Sequence, residues 1–205
     1  MDPALFLNIE AMKTIATLTV ITITLICSGF TEKGMWIVDS NSQLSIQGST
    51  NVNKFTCKIE YCTGTDTLQY VENSSATELS FTRSLMTIPV RSFDCGTKQI
   101  SKDFWRTLKS ETYPELDINF RSLQNIAFKD NSYTYGVVDI KLAGVTARYK
   151  IRYRVSVKET NTILLNGLQK VNFSDFNLEA PRKMKGLIKV KEVLNVEFNL
   201  VLRTI

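Results

Sequence analysis

The 205-residue sequence contains no histidine. This absence excludes the Ser-His and Cys-His nucleophile pairs, histidine metal ligands and the usual acid–base catalyst near neutral pH. A carboxylate pair or a single thiol remains as a catalytic option, and Asp94 beside Cys95 is the only local candidate for it. We therefore expect no enzyme, no catalytic residues, no metal site and no cofactor.

Long hydrophobic runs are also missing. The uncharged, mostly apolar run 14–26 has 13 residues, whereas a membrane-spanning helix needs about 20. Lys13 before this run and the small residues after Cys27 are typical of a cleaved export signal. We predict a signal segment over 1–29, with 1–11 as an upstream extension, and a periplasmic or otherwise extracytoplasmic mature protein. Lipidation of Cys27 is a less favoured alternative, because Ile26 stands where a small residue is required.

Cysteines are few, and three of them, Cys57, Cys62 and Cys95, follow the signal segment. Three thiols allow one intramolecular bridge at most, and no pair has the Cys-x-x-Cys spacing of a redox site. In an oxidising compartment we predict a structural disulfide between Cys57 and Cys95, which closes a loop of about forty residues.

Runs of five or more like charges are absent, although the formal net charge is +5. With 43% hydrophobic and 22% charged residues, the composition is that of a globular chain with a sizeable core. The length after the signal predicts one domain over 30–205. The modest basic charge indicates a solvated surface rather than nucleic-acid binding.

Two-residue periodicity dominates the rest of the sequence. Apolar and polar residues alternate throughout 145–158, over 133–137 and then from a new start over 138–142, and once more over 194–202, where the last strand is expected to close the sheet. The segment 101–108 breaks this pattern and predicts a short helix capped by Ser101. Long alternating strands with short turns fit either a β-sandwich or a β-barrel. Because the strands between 135 and 157 are longer than those of a usual sandwich, we favour an all-β, antiparallel β-barrel of about eight strands with one short helix.

Several motifs together resemble the YceI-like family of exported lipid-binding proteins, in a cysteine-bearing branch. The resemblance rests on the order and spacing of these motifs, which together cover essentially the whole mature chain. The motifs are 36–39 with Ser42, Leu44 and Ile46; 48–57; 90–96; 103–105 with Leu108; 113–120; Gly136 with 144–146; 179–190; and 196–200. The histidine that often follows the aspartate of the family's opening strand is absent here. The resemblance implies a lipocalin-like barrel with a hydrophobic channel for a polyisoprenoid or quinone-like lipid, and no invariant catalytic set.

A barrel that holds a long-chain lipid needs inward apolar side chains that leave a gap. The candidate lining residues come from three uninterrupted apolar rows: Ile118 and Phe120; Tyr149, Ile151, Tyr153 and Val155; Leu194, Val196, Phe198 and Leu200. Alternation identifies the buried face of a strand but does not tell whether the interior is open or filled.

A filled interior therefore stays as the alternative: a structural or interaction protein with a solid barrel core and a basic outer face that binds a partner. Its basic row would be Arg148, Lys150, Arg152, Arg154 and Lys158, and a second basic cluster comprises Arg182, Lys183, Lys185, Lys189 and Lys191. Solvation explains both clusters most simply, with peripheral membrane contact as the other option. Pairing of two barrels into a homodimer is left open by the sequence.

Overall fold

A computed structural model describes residues 31–59, 66–73, 77–124, 129–158 and 161–204. The predicted signal segment, Cys27 and Cys62 lie outside the described residues. Among the described residues, no helix combines the length and the apolar character that crossing a bilayer requires.

The described chain is built almost entirely of β-strands. The strands are β1 (Thr31–Val38), β2 (Gln43–Ser49), β3 (Lys54–Ile59), β4 (Thr67–Asn73), β5 (Glu78–Arg83), β6 (Leu85–Pro89), β7 (Glu115–Gln124), β8 (Ser132–Leu142), β9 (Val145–Lys158), β10 (Thr162–Asn172), β11 (Arg182–Lys183), β12 (Ile188–Lys189) and β13 (Val193–Thr204). Helix α1 covers Lys98–Thr107, and short 3₁₀ turns cover Val90–Ser92, Phe173–Phe176 and Met184–Gly186.

The strands close into an eight-stranded antiparallel barrel, which confirms the predicted fold class. The order around the barrel is β1-β4-β5-β7-β8-β9-β10-β13, and β13 pairs back to β1. Strand β2 continues along β13 where β1 ends, β3 pairs with β2, and β6 continues along β7 after β5. The last strand therefore closes the sheet, as expected.

The hairpin between β8 and β9 has a two-residue turn. Ala143 and Gly144 both have left-handed backbone, with φ of 50° and 81°, as a tight turn matching the twist of its strands requires. The register pairs Leu142 with Val145 and continues in step to Ser132 and Val155. One exception to the expected inward row is Val157, which is exposed at the end of β9.

Helix α1 begins earlier than predicted. It starts at Lys98, and Thr97 is the N-cap, whose hydroxyl accepts a hydrogen bond from the Ile100 amide at 3.3 Å. The predicted cap, Ser101, is buried one turn into the helix, where its hydroxyl accepts from the Cys95 amide at 3.0 Å. Both residues have the chemistry of a cap, and tertiary burial of Ser101 decides between them.

Two long connections lie at one end of the barrel, which we call the mouth. The first runs from β6 to β7 and contains α1, and the second runs from β10 to β13 and contains the β11–β12 hairpin. At the opposite end, Trp36, Tyr70, Phe81 and Phe120 form a connected aromatic cluster with ring centroids 4.7 to 6.4 Å apart. The two ends of the lumen are therefore built differently.

Candidate functional site

The interior of the barrel retains a small cavity in its mouth half. Its volume is about 50 Å³, and every described residue that lines it is apolar. The lining residues come from five strands and both long connections: Leu44, Ile46, Phe93, Phe104, Leu108, Leu116, Ile118, Ile140, Leu142, Val171, Phe176, Leu194, Val196 and Phe198. An all-apolar lining favours a hydrocarbon occupant over a polar one.

Four of the ten residues predicted from the sequence line this cavity. They are Ile118, Leu194, Val196 and Phe198. The other six do not line it: Phe120, Ile151, Tyr153, Val155 and Leu200 are buried in the core, and Tyr149 is half-buried at its edge. Alternation identified the inward side of these strands, but it did not tell which half of the lumen is filled by side chains and which half keeps a cavity.

Tyr153 shows how the far half of the lumen is filled. The ring packs over Gly167, where a Cβ would lie 2.7 Å from its Cδ1, and against Gly136, where a Cβ would lie 3.0 Å from its Cε2. Burial raises the pKa of the Tyr153 hydroxyl, and the hydroxyl has no hydrogen-bond partner among the described residues. The two glycines thus make room for a large side chain that occupies lumen space.

Tyr149 lies at the edge of the core and contacts the 3₁₀ turn at the mouth. Its hydroxyl donates a hydrogen bond to Asp175 Oδ2 at 2.8 Å. Burial and this contact with Asp175 raise the pKa of the Tyr149 hydroxyl. Asp175 also accepts from the Asn172 amide at 2.9 Å, so the pair fastens β9 to the 3₁₀ turn at the mouth.

A second, wider cavity, which we call the mouth cavity, lies outside the first. It has a volume of about 230 Å³ and lies between α1, the β11–β12 hairpin and the start of β3. Its lining includes the apolar Phe55, Ile100, Ile188 and Val190, together with the charged Lys54, Asp103 and Lys183. Phe104 on α1 lines both cavities, so its ring separates the lumen from the mouth.

Helix α1 is held over the lumen by several polar and covalent contacts. The disulfide Cys57–Cys95, confirmed as predicted, ties β3 to the segment before the helix. The Trp105 indole donates to the Phe93 carbonyl at 2.9 Å, and the rings of Phe93 and Phe104 meet edge to face with centroids 5.6 Å apart. Because these contacts surround Phe104, they fix the ring between the two cavities.

Periodicity along the strands does not reveal the contribution of the long connections to the cavity. Phe93, Phe104, Leu108 and Phe176 line the lumen cavity although none belongs to an alternating strand. The helical spacing of Phe104 and Leu108 was visible in the sequence, but only the topology brings that helix face over the open end of the barrel. An apolar helix face next to a predicted barrel is the signal that could have identified them.

The basic row of β9 is engaged within the protein. Arg148 pairs with Asp139 at 2.6 Å, and Arg121 of β7 binds the same carboxylate at 2.7 Å. Lys150 and Arg152 lie over the rings of Tyr135 and Tyr133, at 5.2 and 3.9 Å from the centroids. These contacts account for much of the row without an external partner.

Asp94 beside Cys95 does not form the catalytic pair considered from the sequence. Cys95 is bonded to Cys57, and the Asp94 carboxylate accepts from the Gly96 amide at 2.9 Å. The described residues also contain no group of three or more acidic or cysteine side chains that could hold a metal ion.

Comparison with solved structures places this architecture among known barrels. A polyisoprenoid-binding domain from Saccharophagus degradans superposes with a TM-score of 0.62 at 14% identity, covering 83% of this chain and 98% of that one. BcnA from Burkholderia cenocepacia superposes with a TM-score of 0.59 at 19% identity, covering 80% and 98%. The chain has the fold of YceI-like proteins. No protein-family model matches the sequence, and no curated protein matches it. At these identities the likeness is one of fold.

Proposed function

We propose that this YceI-like barrel binds a long apolar molecule, such as a polyisoprenoid or quinone-like lipid, in its lumen and acts as an extracytoplasmic binding protein without catalysis. The observation that carries the proposal is the all-apolar lumen cavity, which adjoins the wider mouth cavity across a single ring, that of Phe104. The similarity in fold to the polyisoprenoid-binding domain from Saccharophagus degradans supports the same ligand class.

Cavity size sets a condition on this function. A volume of about 50 Å³ is far below the roughly 300–1,000 Å³ of ordinary small-molecule sites. A long chain therefore needs the Phe104 ring to swing away, so that the lumen and mouth cavities become one. Burying roughly 400 Å² of hydrocarbon would contribute about 10 kcal/mol before ordering costs, which leaves room for the work of opening.

The disulfide supports the proposed compartment. A bridge such as Cys57–Cys95 persists in oxidising environments and is rare where thiols are kept reduced. This agrees with the export signal predicted from the sequence and with a carrier that works outside the cytoplasm.

The alternative of a filled interaction barrel has one observation in its favour. The aromatic cluster and Tyr153 fill the far half of the lumen. An observation against it is that most of the basic row of β9, the expected partner-binding surface, already contacts Asp139 and the rings of Tyr133 and Tyr135. We therefore favour the carrier over the interaction protein.

The experiment that tests the proposal compares two phenylalanine truncations. Phe104→Ala removes the ring between the cavities, and Phe120→Ala removes an equally buried ring outside the lumen cavity. Each should lower the free energy of unfolding by about 3–5 kcal/mol. We expect Phe104→Ala alone to take up geranylgeraniol faster than the unmodified protein, measured by stopped-flow quenching of tryptophan fluorescence.

Mass spectrometry of solvent extracts from the purified protein provides the second measurement. A reproducible long-chain lipid at near-stoichiometric amount is the expected result. The carrier function is wrong if extracts contain no such lipid and geranylgeraniol does not bind to either variant or to the unmodified protein.

A further inference from the structure

Three large apolar side chains stand in solvent at the mouth of the barrel. Val52, in the turn between β2 and β3, is 66% exposed, and Met184 and Leu187, in the connection between β11 and β12, are 66% and 72% exposed. Among the described residues no other large hydrophobic side chain is as exposed, and Leu168 on the barrel wall follows at 62%. Exposed apolar side chains concentrated at one place are typical of an interaction surface.

Hydrogen bonds join the two loops that carry these side chains. The Asn51 amide group donates to the Leu187 carbonyl at 2.9 Å, and the Lys189 amide donates back to Asn51 Oδ1 at 2.9 Å. Thr50 and Val190 also form an isolated β-bridge. We call the joined surface of residues 50–53 and 182–191 the mouth rim.

The mouth rim is the most basic part of the chain. Residues 182–191 include Arg182, Lys183, Lys185, Lys189 and Lys191 and no acidic residue, so their charge equals the net charge of the whole protein, +5. Among the described residues only Lys183 of this set has an ion pair, with Asp103 at 2.7 Å. The rim thus differs from the β9 row, whose charges are largely engaged within the protein.

One side of the β11–β12 hairpin lines the mouth cavity, and the other side is exposed to solvent. Lys183 and Ile188 are register partners and both line the mouth cavity, whereas Arg182 and Lys189, the other pair, are exposed. At the tip, Met184 and Lys185 have left-handed backbone with φ of 50° and 54°, a conformation that residues other than glycine rarely adopt. The tip therefore keeps its apolar side chains in solvent despite a strained backbone.

We propose that the mouth rim docks on the surface of an anionic lipid bilayer. Val52, Met184 and Leu187 enter the boundary between headgroups and acyl chains, and the unpaired basic side chains of the hairpin lie at the lipid phosphates. Apolar anchors combined with clustered basic residues are the two signals that stable peripheral binding needs. The docked barrel presents its mouth cavity to the membrane, so that a hydrocarbon ligand moves between bilayer and lumen without crossing water. This last step alone rests on the proposed function.

Vesicle co-sedimentation of the full chain tests the docking. The probes are phosphatidylcholine vesicles with and without one-third phosphatidylglycerol, at low and high salt. We expect binding only to the anionic vesicles, and weaker binding at high salt because exposed charges are screened. The triple variant Val52→Ser/Met184→Ser/Leu187→Ser and the charge reversal Lys185→Glu/Lys189→Glu should each reduce the affinity at least about tenfold.

Matched controls lie on the barrel wall. Leu168→Ser removes a comparably exposed apolar side chain, and Lys150→Glu/Lys158→Glu makes the same change in net charge on β9. Both controls should bind anionic vesicles like the unmodified protein. Because residues 1–30 are the same in every variant, they cannot produce a difference between rim and control.

Three results would overturn the docking: equal binding to neutral vesicles, unchanged binding by both rim variants, or equal losses in rim and control variants. Uptake of geranylgeraniol in solution by the rim variants is measured in parallel. Loss of vesicle binding with retained uptake supports a separate docking surface, whereas retained vesicle binding without any uptake contradicts the carrier function and leaves the docking standing.

Discussion

Asp103 and Lys183 form an ion pair, with 2.7 Å between Oδ1 and Nζ, that joins helix α1 to the β11–β12 hairpin across the mouth of the barrel. Asp103 directly precedes Phe104, the residue whose ring separates the lumen from the mouth cavity. The pair therefore links the two long connections at the place where the ligand of the proposed carrier would pass.

Removal of the Lys183 charge should loosen the helix without unfolding the barrel. Lys183→Met keeps most of the aliphatic stem, and because both partners are partly exposed the free energy of unfolding should fall by less than about 1 kcal/mol. We expect faster amide hydrogen exchange in α1 and faster geranylgeraniol uptake. Lys189→Met, on the exposed side of the same hairpin, is the control and should change neither.

Acidification should loosen the same contact. Burial raises the pKa of the Asp103 carboxyl, but hydrogen bonds from Lys183 and Gln99 and the charges of Lys183 and Arg106 outweigh it, and the net pKa lies below its usual 3.8. The stabilisation is present above that value and is lost as the pH falls through the lowered pKa. Hydrogen exchange in α1 of the unmodified protein should approach that of Lys183→Met at low pH, and a constant difference between them would contradict the link.

Asp139 should stabilise the barrel wall in a pH-dependent manner. Hydrogen bonds from Arg148, and then from Arg121, lower its pKa from 3.8 to about 2 despite partial desolvation. After allowance for screening of the exposed guanidinium groups, the carboxylate contributes roughly 1–2 kcal/mol above pH 4, and this is lost as the pH falls toward 2. Asp139→Asn should show this loss in urea denaturation at pH 7. Asp117→Asn, whose pair with Lys141 is 3.9 Å long, should cost less, and equal losses would count against the assignment.

The two inward tyrosines should respond oppositely to loss of their hydroxyl groups. Tyr153→Phe removes a buried hydroxyl without a partner among the described residues, so stability should stay constant or rise by up to about 1 kcal/mol. Tyr149→Phe removes the hydrogen bond to Asp175 and should cost about 1–2 kcal/mol. Thermal and urea denaturation of both variants measure this, and a large loss for Tyr153→Phe would mean that its hydroxyl has a partner in solution.

The disulfide should stabilise the protein mainly through its unfolded state. Cys57 and Cys95 are 38 residues apart, and opening a loop of this size should cost about 3–4 kcal/mol. The double variant Cys57→Ala/Cys95→Ala should lose this amount in urea denaturation and exchange the amides of α1 faster. Cys62→Ala, which removes the thiol predicted to be unpaired, is the control and should leave stability nearly unchanged.

Alternation in the sequence predicted β8, β9 and β13, together with the inward faces of β13 and of β9 up to Val155. In β8 the alternating Tyr133 and Tyr135 are exposed, and the residue between them is buried. The register of β8 with β9 follows from the two-residue turn at Ala143 and Gly144, and β13 closes the barrel as its periodicity indicated. The N-cap of α1 was predicted four residues too late, because Thr97 and Ser101 have the same capping chemistry and only burial distinguishes them.

The sequence by itself determined that long alternating strands dominate the chain and that the three cysteines after the signal segment form one bridge at most, because two-residue periodicity and thiol count are local or compositional properties. Only the tertiary structure decided how full the lumen is: glycines at 136 and 167 make room for the Tyr153 ring, while the mouth half keeps a cavity that Phe104 closes. It also decided which basic residues stay unpaired, since Arg148 meets Asp139 across the sheet and the hairpin lysines extend into solvent. Free volume and charge pairing depend on which side chains meet across strands distant in sequence, and alternation along one strand does not contain that information.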